Sequence, residues 1–465
     1  MMRHAAPLLR FDASIATRCC FTRTFQTQTE HAVWLSRVRA SAMPPPPESA
    51  MSQVPGKAAP ALAPFLFSVD PMASHLKLRS VSSSSLLAVP SSPSTSMIEV
   101  TYPLSSDHAL RTAVSDLGSW STFRLSKFYE AVDALTADVA YRHTNGVAKG
   151  LALVTAGHYH SRKLKSTDIS ADVVLRCYIT AAGSTSLEVR TDAIQRDNLG
   201  NEALVNVCHT VMVALDGATM RPAKGSVPSL AVDPFDAARQ ETRADLAALH
   251  GVIRKRNAAS TMQLRAPMSA PPTAEEMRAI HDLHRNAIKL REAPSPRKPT
   301  PLAIAGLTFR SSFVVFPENR NVHGKLFGGF VMAQAYNLAR YTTAFFARGT
   351  AVVPLGIDEA VFIQPISIGD LVTFTARLVH ATEHTCRVFV TVEVRDAADP
   401  ARLPLRSNRL IFPFAARAPP GGVVPHTYEE TLMHLEAVRR HSTEGPSDET
   451  ALALLASVSK LTPLQ

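Results

Sequence analysis

The run Asn319-Arg320-Asn321-Val322-His323-Gly324-Lys325-Leu326-Phe327-Gly328-Gly329-Phe330 is a polar turn, then two glycines, then the start of an apolar stretch. Glycine lets a ligand approach the backbone closely. A helix that begins there offers N–H groups with no intrahelical partner and the positive end of its dipole. Negative charge developing on a carbonyl oxygen suits such a place. The N–H groups of Gly328 and Gly329 are therefore candidates to hold an oxyanion. Asn321 and His323 are candidate polar contacts for a water or a bound carbonyl group, Lys325 and Arg320 could meet phosphates, and Phe330 could line a substrate. Tight packing of the helix start against a sheet asks for the same glycines, and the motif alone does not separate the two readings.

The carboxylate for such a site comes from elsewhere. Asp133 sits on the otherwise apolar face of the run Lys127–Ala140. Burying a carboxylate is costly unless it is paired or used. A salt bridge or a cap to a neighbouring loop would also account for it, and Glu130 is a rival one turn earlier. His158-x-His160 and His281-x-x-His284 have no third ligand at a metal-binding spacing, so no metal is expected. Asp358 reads as a structural acid at a strand end, and Asp172 and Asp370 as turn formers. Cys177, Cys208 and Cys386 sit in strand-like apolar runs without a C-x-x-C pair, which reads as buried structural cysteine in a reducing compartment.

These residues lie in a repeat offset by about 200 positions. Each half opens with a helix, Lys127–Ala140 and Phe330–Tyr341, and continues in runs rich in β-branched residues. Ile169–Val174 echoes Ile366–Val372, Ser186–Arg190 precedes Val207–Val213, and Arg387–Val392 precedes Ser407–Phe412. The second helix is apolar or small on nearly every face, which predicts burial all round. An antiparallel sheet curled about one central helix meets that demand, and two copies can pair edge to edge. The fold class is α+β, two tandem hotdog domains. Aligning Ser126 with Gly329 sets Asp133 opposite Tyr336. The first half keeps the acid without the glycines and the second keeps the glycines without the acid, so one composite site is expected at the junction.

The rest of the 465 residues fits two domains plus connecting material. The expected boundaries are a mitochondrial transit peptide over 1–43, a disordered Pro/Ser-rich segment over 44–96, and a first domain over 97–225. A polar, helix-prone connector over 226–300 starts its helix at Thr273. A second domain follows over 301–417, then a tail over 418–465 with a capped helix at Thr427–Leu435. The leader carries Arg3, Arg10, Arg18, Arg23, Arg37 and Arg39 against Asp12 and Glu30 and has no long apolar core. No apolar run is long enough to span a membrane, so no stable insertion is expected. The net charge of +10 suits phosphate-bearing ligands, and with no basic stripe or zinc-finger spacing no nucleic-acid partner is expected.

The segments Asn321, Lys325–Met332, Ala335-Tyr336, Phe362–Pro365 and Gly369, with Phe128–Leu135, Thr185–Val189 and Thr427–Glu430, resemble the mitochondrial acyl-coenzyme A thioesterase 9 family across about 100–440. The resemblance implies a double hotdog that hydrolyses acyl-CoA to free acid and CoA in the mitochondrial matrix, with no cofactor. It also implies homo-oligomers, trimers of the double unit. In related hotdog thioesterases a helix Asp works with an Asn or Asp in the turn before the glycines. Asp133 matches the helix position; Lys325 stands at the turn position, where a cation cannot act as base. Asp133 is then the general base for a water or, as the alternative, the nucleophile. The alternatives are a catalytically weak or inactive acyl-CoA-binding protein, a hydratase, and an RNA-binding protein.

Overall fold

The computed structural model describes residues 77–78, 93–116, 119–146, 149–196, 201–230, 271–294, 300–396, 399, 403–417, 422–444 and 448–459. The leader over 1–43, most of 44–96 and residues 231–270 of the connector lie outside these. All described residues belong to one compact unit, Pro45–Gln465.

The first half comprises β1 (Ile98–Tyr102), the helix α1 (Leu125–Thr144), β2 (Leu151–Lys163), β3 (Val173–Ala182), β4 (Ser186–Arg196) and β5 (Glu202–Asp216). The connector contributes α2 (Ala274–Glu292), closed at its start by a reciprocal capping box between Thr273 and Glu276. The second half repeats the first as β6 (Thr308–Val314), α3 (Gly328–Phe346), β7 (Gly356–Phe362), β8 (Leu371–Ala381), β9 (Thr385–Arg395) and β10 (Leu405–Ala416). Two tail helices, α4 (Tyr428–Glu444) and α5 (Asp448–Ser459), follow.

One antiparallel sheet runs through both halves in the order β1-β3-β4-β5-β2-β7-β10-β9-β8-β6. Each half is thus a hotdog, its sheet curled around α1 or α3, and the two meet at the β2·β7 seam. There His158 pairs with Ala360 and Arg162 with Gly356. A Cβ on Gly356, whose φ is +135°, would lie 1.9 Å from the Ser161 carbonyl oxygen, so the seam closes only over a glycine. Asp358 fastens the seam further. It accepts from Arg162 of β2 at 2.9 Å and from Arg387 of β9 at 3.0 Å. Burial pushes its carboxyl up, but Arg162, Arg387 and Arg440 outweigh that and hold it below the usual carboxylate range.

Several sequence expectations change. The runs at Ile169 and Ile366 are mostly turns, and the strands begin at Val173 and Leu371. β-Branched residues suggested strand, but Asp172 is spent holding the Ser105 N–H and Asp370 the Ser367 N–H, both at 2.8 Å. Within 44–96, Lys77–Leu78 pairs with β1 and Pro93–Ser96 forms a helical turn. Edge pairing there satisfies backbone groups without needing a hydrophobic core. The tail carries two helices where one was expected.

The helix α3 is not buried all round: Tyr341 and Phe345 are 57% and 53% exposed. Both rings pack edge-on against Phe309 of β6. Among the described residues β6 is the last strand of the sheet, and no further strand pairs with it on that flank.

Candidate active site

The helix α1 carries Asp133 on a face buried against α3 and β2. Its carboxylate is 5% exposed and held from two sides. Oδ2 accepts the backbone N–H of Gly329 at 2.6 Å, and Oδ1 accepts the Thr155 hydroxyl at 2.8 Å. The acid of the first half therefore rests on the N-terminus of the second half's helix, where the dipole favours an anion.

The packing reading of the glycine pair holds, and the pair also lies against the carboxylate. A Cβ on Gly328 would lie 2.8 Å from Asp133 Oδ2 and 3.2 Å from the Phe362 ring, so a side chain there would sit on the carboxylate. A Cβ on Gly329 would lie 2.9 Å from Glu130 Cα, so this glycine also sets the approach of α1 to α3. The N–H of Gly329, assigned from sequence to an oxyanion, donates to Asp133 here. Gly328 belongs to the same first turn, whose N–H groups have no intrahelical acceptor. Glu130 instead pairs with Lys127 on its own helix at 2.7 Å.

The polar turn reaches the first half through His323. Its Nε2 is 3.3 Å from the Tyr141 hydroxyl and 3.4 Å from the Leu153 carbonyl oxygen, two residues before Thr155 on β2. Burial pushes the His323 pKa down, which favours the neutral ring. The Asn321 carboxamide oxygen accepts the N–H groups of His323 and Lys325 and so shapes the turn itself. Lys325 Nζ donates to Ser367 Oγ at 3.1 Å, tying the turn to the loop before β8. Arg320 is half-buried and bridges to Leu326 through the backbone. Phe330 lies edge-on to Phe313, in the wall between α3 and β6.

Sequence reasoning missed Thr155 and weighed His158 only as half of a metal-binding pair, not as a neighbour of Asp133. His158 Nε2 lies 3.4 Å from Asp133 Oδ1. Strict alternation would send residues three apart to opposite faces of β2. The register slips between Thr155 and Gly157, and that bulge turns both side chains toward Asp133.

The matching place in the second half is closed. Tyr336, opposite Asp133 in the repeat, is fully buried against Tyr129, Phe412 and Phe414, with its hydroxyl near the Asp116–Arg340 ion pair. Ser126 stands where the second half has Gly329 and is buried.

Among the described residues no three His, Cys, Asp or Glu side chains come together as a metal site. His281 and His284 lie on α2, and the His160 side chain is outside the described set. Cys177, Cys208 and Cys386 are buried free thiols whose pKa values burial pushes up to about 12, which makes them poor nucleophiles.

Residues 323–401 match the Thioesterase superfamily. Over 353 residues the chain is 26% identical to acyl-coenzyme A thioesterase 9, mitochondrial, of Mus musculus, covering 74% of this chain and 76% of that one. It is 26% identical over 366 residues to acyl-coenzyme A thioesterase 4, mitochondrial, of Humulus lupulus, covering 75% of this chain and 66% of that relative's length. A solved acyl-CoA hydrolase from Staphylococcus aureus, in complex with butyryl coenzyme A, coenzyme A and coenzyme A disulfide, is 23% identical. That similarity covers 33% of this chain and 98% of the solved chain, with a TM-score of 0.28. A thioesterase-superfamily segment thus lies in the second half, and along three quarters of its length the chain is similar to mitochondrial acyl-coenzyme A thioesterases, the type 9 enzymes among them.

Proposed function

We propose that the chain hydrolyses acyl-CoA thioesters to the free acid and CoA at one composite site between its halves. The observation that carries this reading is the 2.6 Å contact from Gly329 N–H to Asp133 Oδ2, which joins the acid of one repeat to the helix start of the other. Asp133 takes a proton from water, and the resulting hydroxide attacks the thioester carbon. The N–H of Gly328, with that of Gly329 as Asp133 becomes neutral, holds the oxyanion. The C–S bond then breaks and CoA leaves as a thiolate. A thiolate is a good leaving group, so the site needs no strong general acid. His323 and Asn321 contact the water or thioester, Phe330 lines the acyl side, and Lys325 and Arg320 meet CoA phosphates.

The chain works in mitochondria, in the matrix, after removal of a leader within 1–43, and self-associates as trimers of the double unit. Its domains span 97–225 and 301–417. The names of the relatives support the compartment. Incubation with acyl-CoAs of short to long chain length and a thiol-trapping reagent tests the activity. Release of CoA that is lost in Asp133→Asn supports the reading. Binding without turnover across the panel selects an inactive acyl-CoA-binding protein instead.

A further inference from the structure

Next to Asp133 the site holds a second buried titratable group that the mechanism above does not use. His158 is fully buried on β2. Its Nδ1 lies 2.8 Å from the hydroxyl of Thr210, the residue opposite it on β5, and 3.9 Å from Cys208 Sγ. Its ring meets Phe362 of β7 edge-on. The groups facing it are therefore Asp133 from α1, Cys208 and Thr210 from β5, and an apolar ring from β7. A histidine present only for packing normally satisfies both ring nitrogens. Here Nε2 has no hydrogen bond and points at Asp133 Oδ1 from 3.4 Å.

We infer that His158 is a positioning residue that fixes which oxygen of Asp133 receives the proton. Resting on the thioesterase reading above, the inference adds a role for this chain's own histidine. The Thr210 hydroxyl donates to Nδ1, which leaves the proton on Nε2. A movement of a few tenths of an ångström brings that N–H into hydrogen-bond range of Oδ1. Oδ1 then accepts from Thr155 and His158 together. Oδ2, with only Gly329 N–H, keeps a lone pair beside Gly328. The proton from water goes to Oδ2, and Oδ1 becomes the carbonyl oxygen of the neutral acid, still holding the same two donors.

The test compares His158→Val, which removes the donor, with His158→Gln, which keeps an N–H. Each is made alone and with Asp133→Asn, and acyl-CoA hydrolysis is followed by CoA release. His158→Val is expected to lower kcat on the order of 10- to 100-fold, the scale of one hydrogen bond to a charged group, with KM within about twofold. His158→Gln recovers most of that loss, and His158→Val adds nothing once Asp133 is Asn. Unchanged kcat in His158→Val, equal losses in Val and Gln, or a loss that adds to Asp133→Asn overturns the inference. Where His158→Val does not fold, ¹⁵N spectra of the wild-type imidazole decide. A proton on Nε2 whose shift moves in Asp133→Asn supports the assignment, and a proton on Nδ1 overturns it. The spectra also read the His158–Asp133 contact in a protein without turnover, so failure of the thioesterase reading remains distinguishable.

Discussion

The two central helices occupy equivalent places in one repeat and have diverged in opposite directions. Only Lys127, Glu130, Ala137 and Arg142 of α1 are more than marginally exposed between Leu125 and Thr144, and it carries an acid into the core. The helix α3 leaves Asn337, Tyr341 and Phe345 exposed and carries a tyrosine where that acid would be. Where Asp133 meets a glycine turn, its partner position has Tyr336 packed on Phe412, Phe414 and Tyr129. A buried carboxylate and an open helix N-terminus are useful together and costly apart. Loss of one member at a site therefore favours replacing the other by packing, and the difference between the helices follows from that pairing.

The sharpest way to break the comparison is to remove the acid. Asp133→Asn keeps size and shape, and is expected to lower kcat about 10²–10⁴-fold, the range for a positioned general base, while melting near the wild-type temperature. Full activity in this variant would refute the assignment, and loss only in Glu130→Gln would move the base one turn back.

The glycines come next. In Gly329→Ala the new methyl meets Glu130 Cα and the Phe327 ring, so α1 and α3 must separate. Overpacking of this kind costs about 1–3 kcal/mol, and a displaced Asp133 costs up to about 10²-fold in turnover. Calorimetry and rates should both register it. Ser126→Gly, at the equivalent position of α1, is expected to leave turnover unchanged.

Acid should act more on the second half and its tail, where three neighbouring histidines are held down, than on the first, where burial lowers His143. Burial, with His434, His441 and Arg387 nearby, pushes His380 down to about 3, and burial also lowers His434 and His441. A histidine held neutral in the fold binds its proton more readily unfolded, so stability falls as pH drops from about 6.5 toward about 3. On the first half's outer edge, Arg176 and Arg196 hold Glu202 down to about 2, so its contribution stands above the unfolded carboxylate range and is lost only as pH falls toward 2. Proteolysis at pH 5 should open α4 and α5 while β3 to β5 stay protected. Simultaneous cleavage would show that the halves do not differ in this way.

The smallest effect is expected at the closed position. Tyr336→Phe keeps the ring among its aromatic neighbours and should leave kcat/KM within about twofold. A loss comparable to Asp133→Asn would mean that the second place is also in use.

Much of this could be read from residue order. The offset of the repeat set Asp133 against Tyr336 and Ser126 against Gly329, and so brought the acid to the glycine turn across the junction. Thr155 and His158 could not be found this way, because the bulge between them breaks the two-residue period that assigns strand faces. β1 and β6 precede their helices, outside the repeated pattern that follows each helix, and β6 has a mostly exposed pattern that does not alternate. The runs ahead of β3 and β8 mimic strands because turn residues there are flanked by isoleucine.

The β2·β7 seam has a further consequence. In a protein built from separate single hotdogs, an acid and a glycine turn contributed by different molecules would drift apart on dilution. Here both stand on one chain, joined by a continuous ladder and the Asp358 ion pairs, so their encounter is intramolecular and governed by effective concentration. Specific activity per chain should therefore stay constant down to nanomolar protein, even where any larger assembly comes apart.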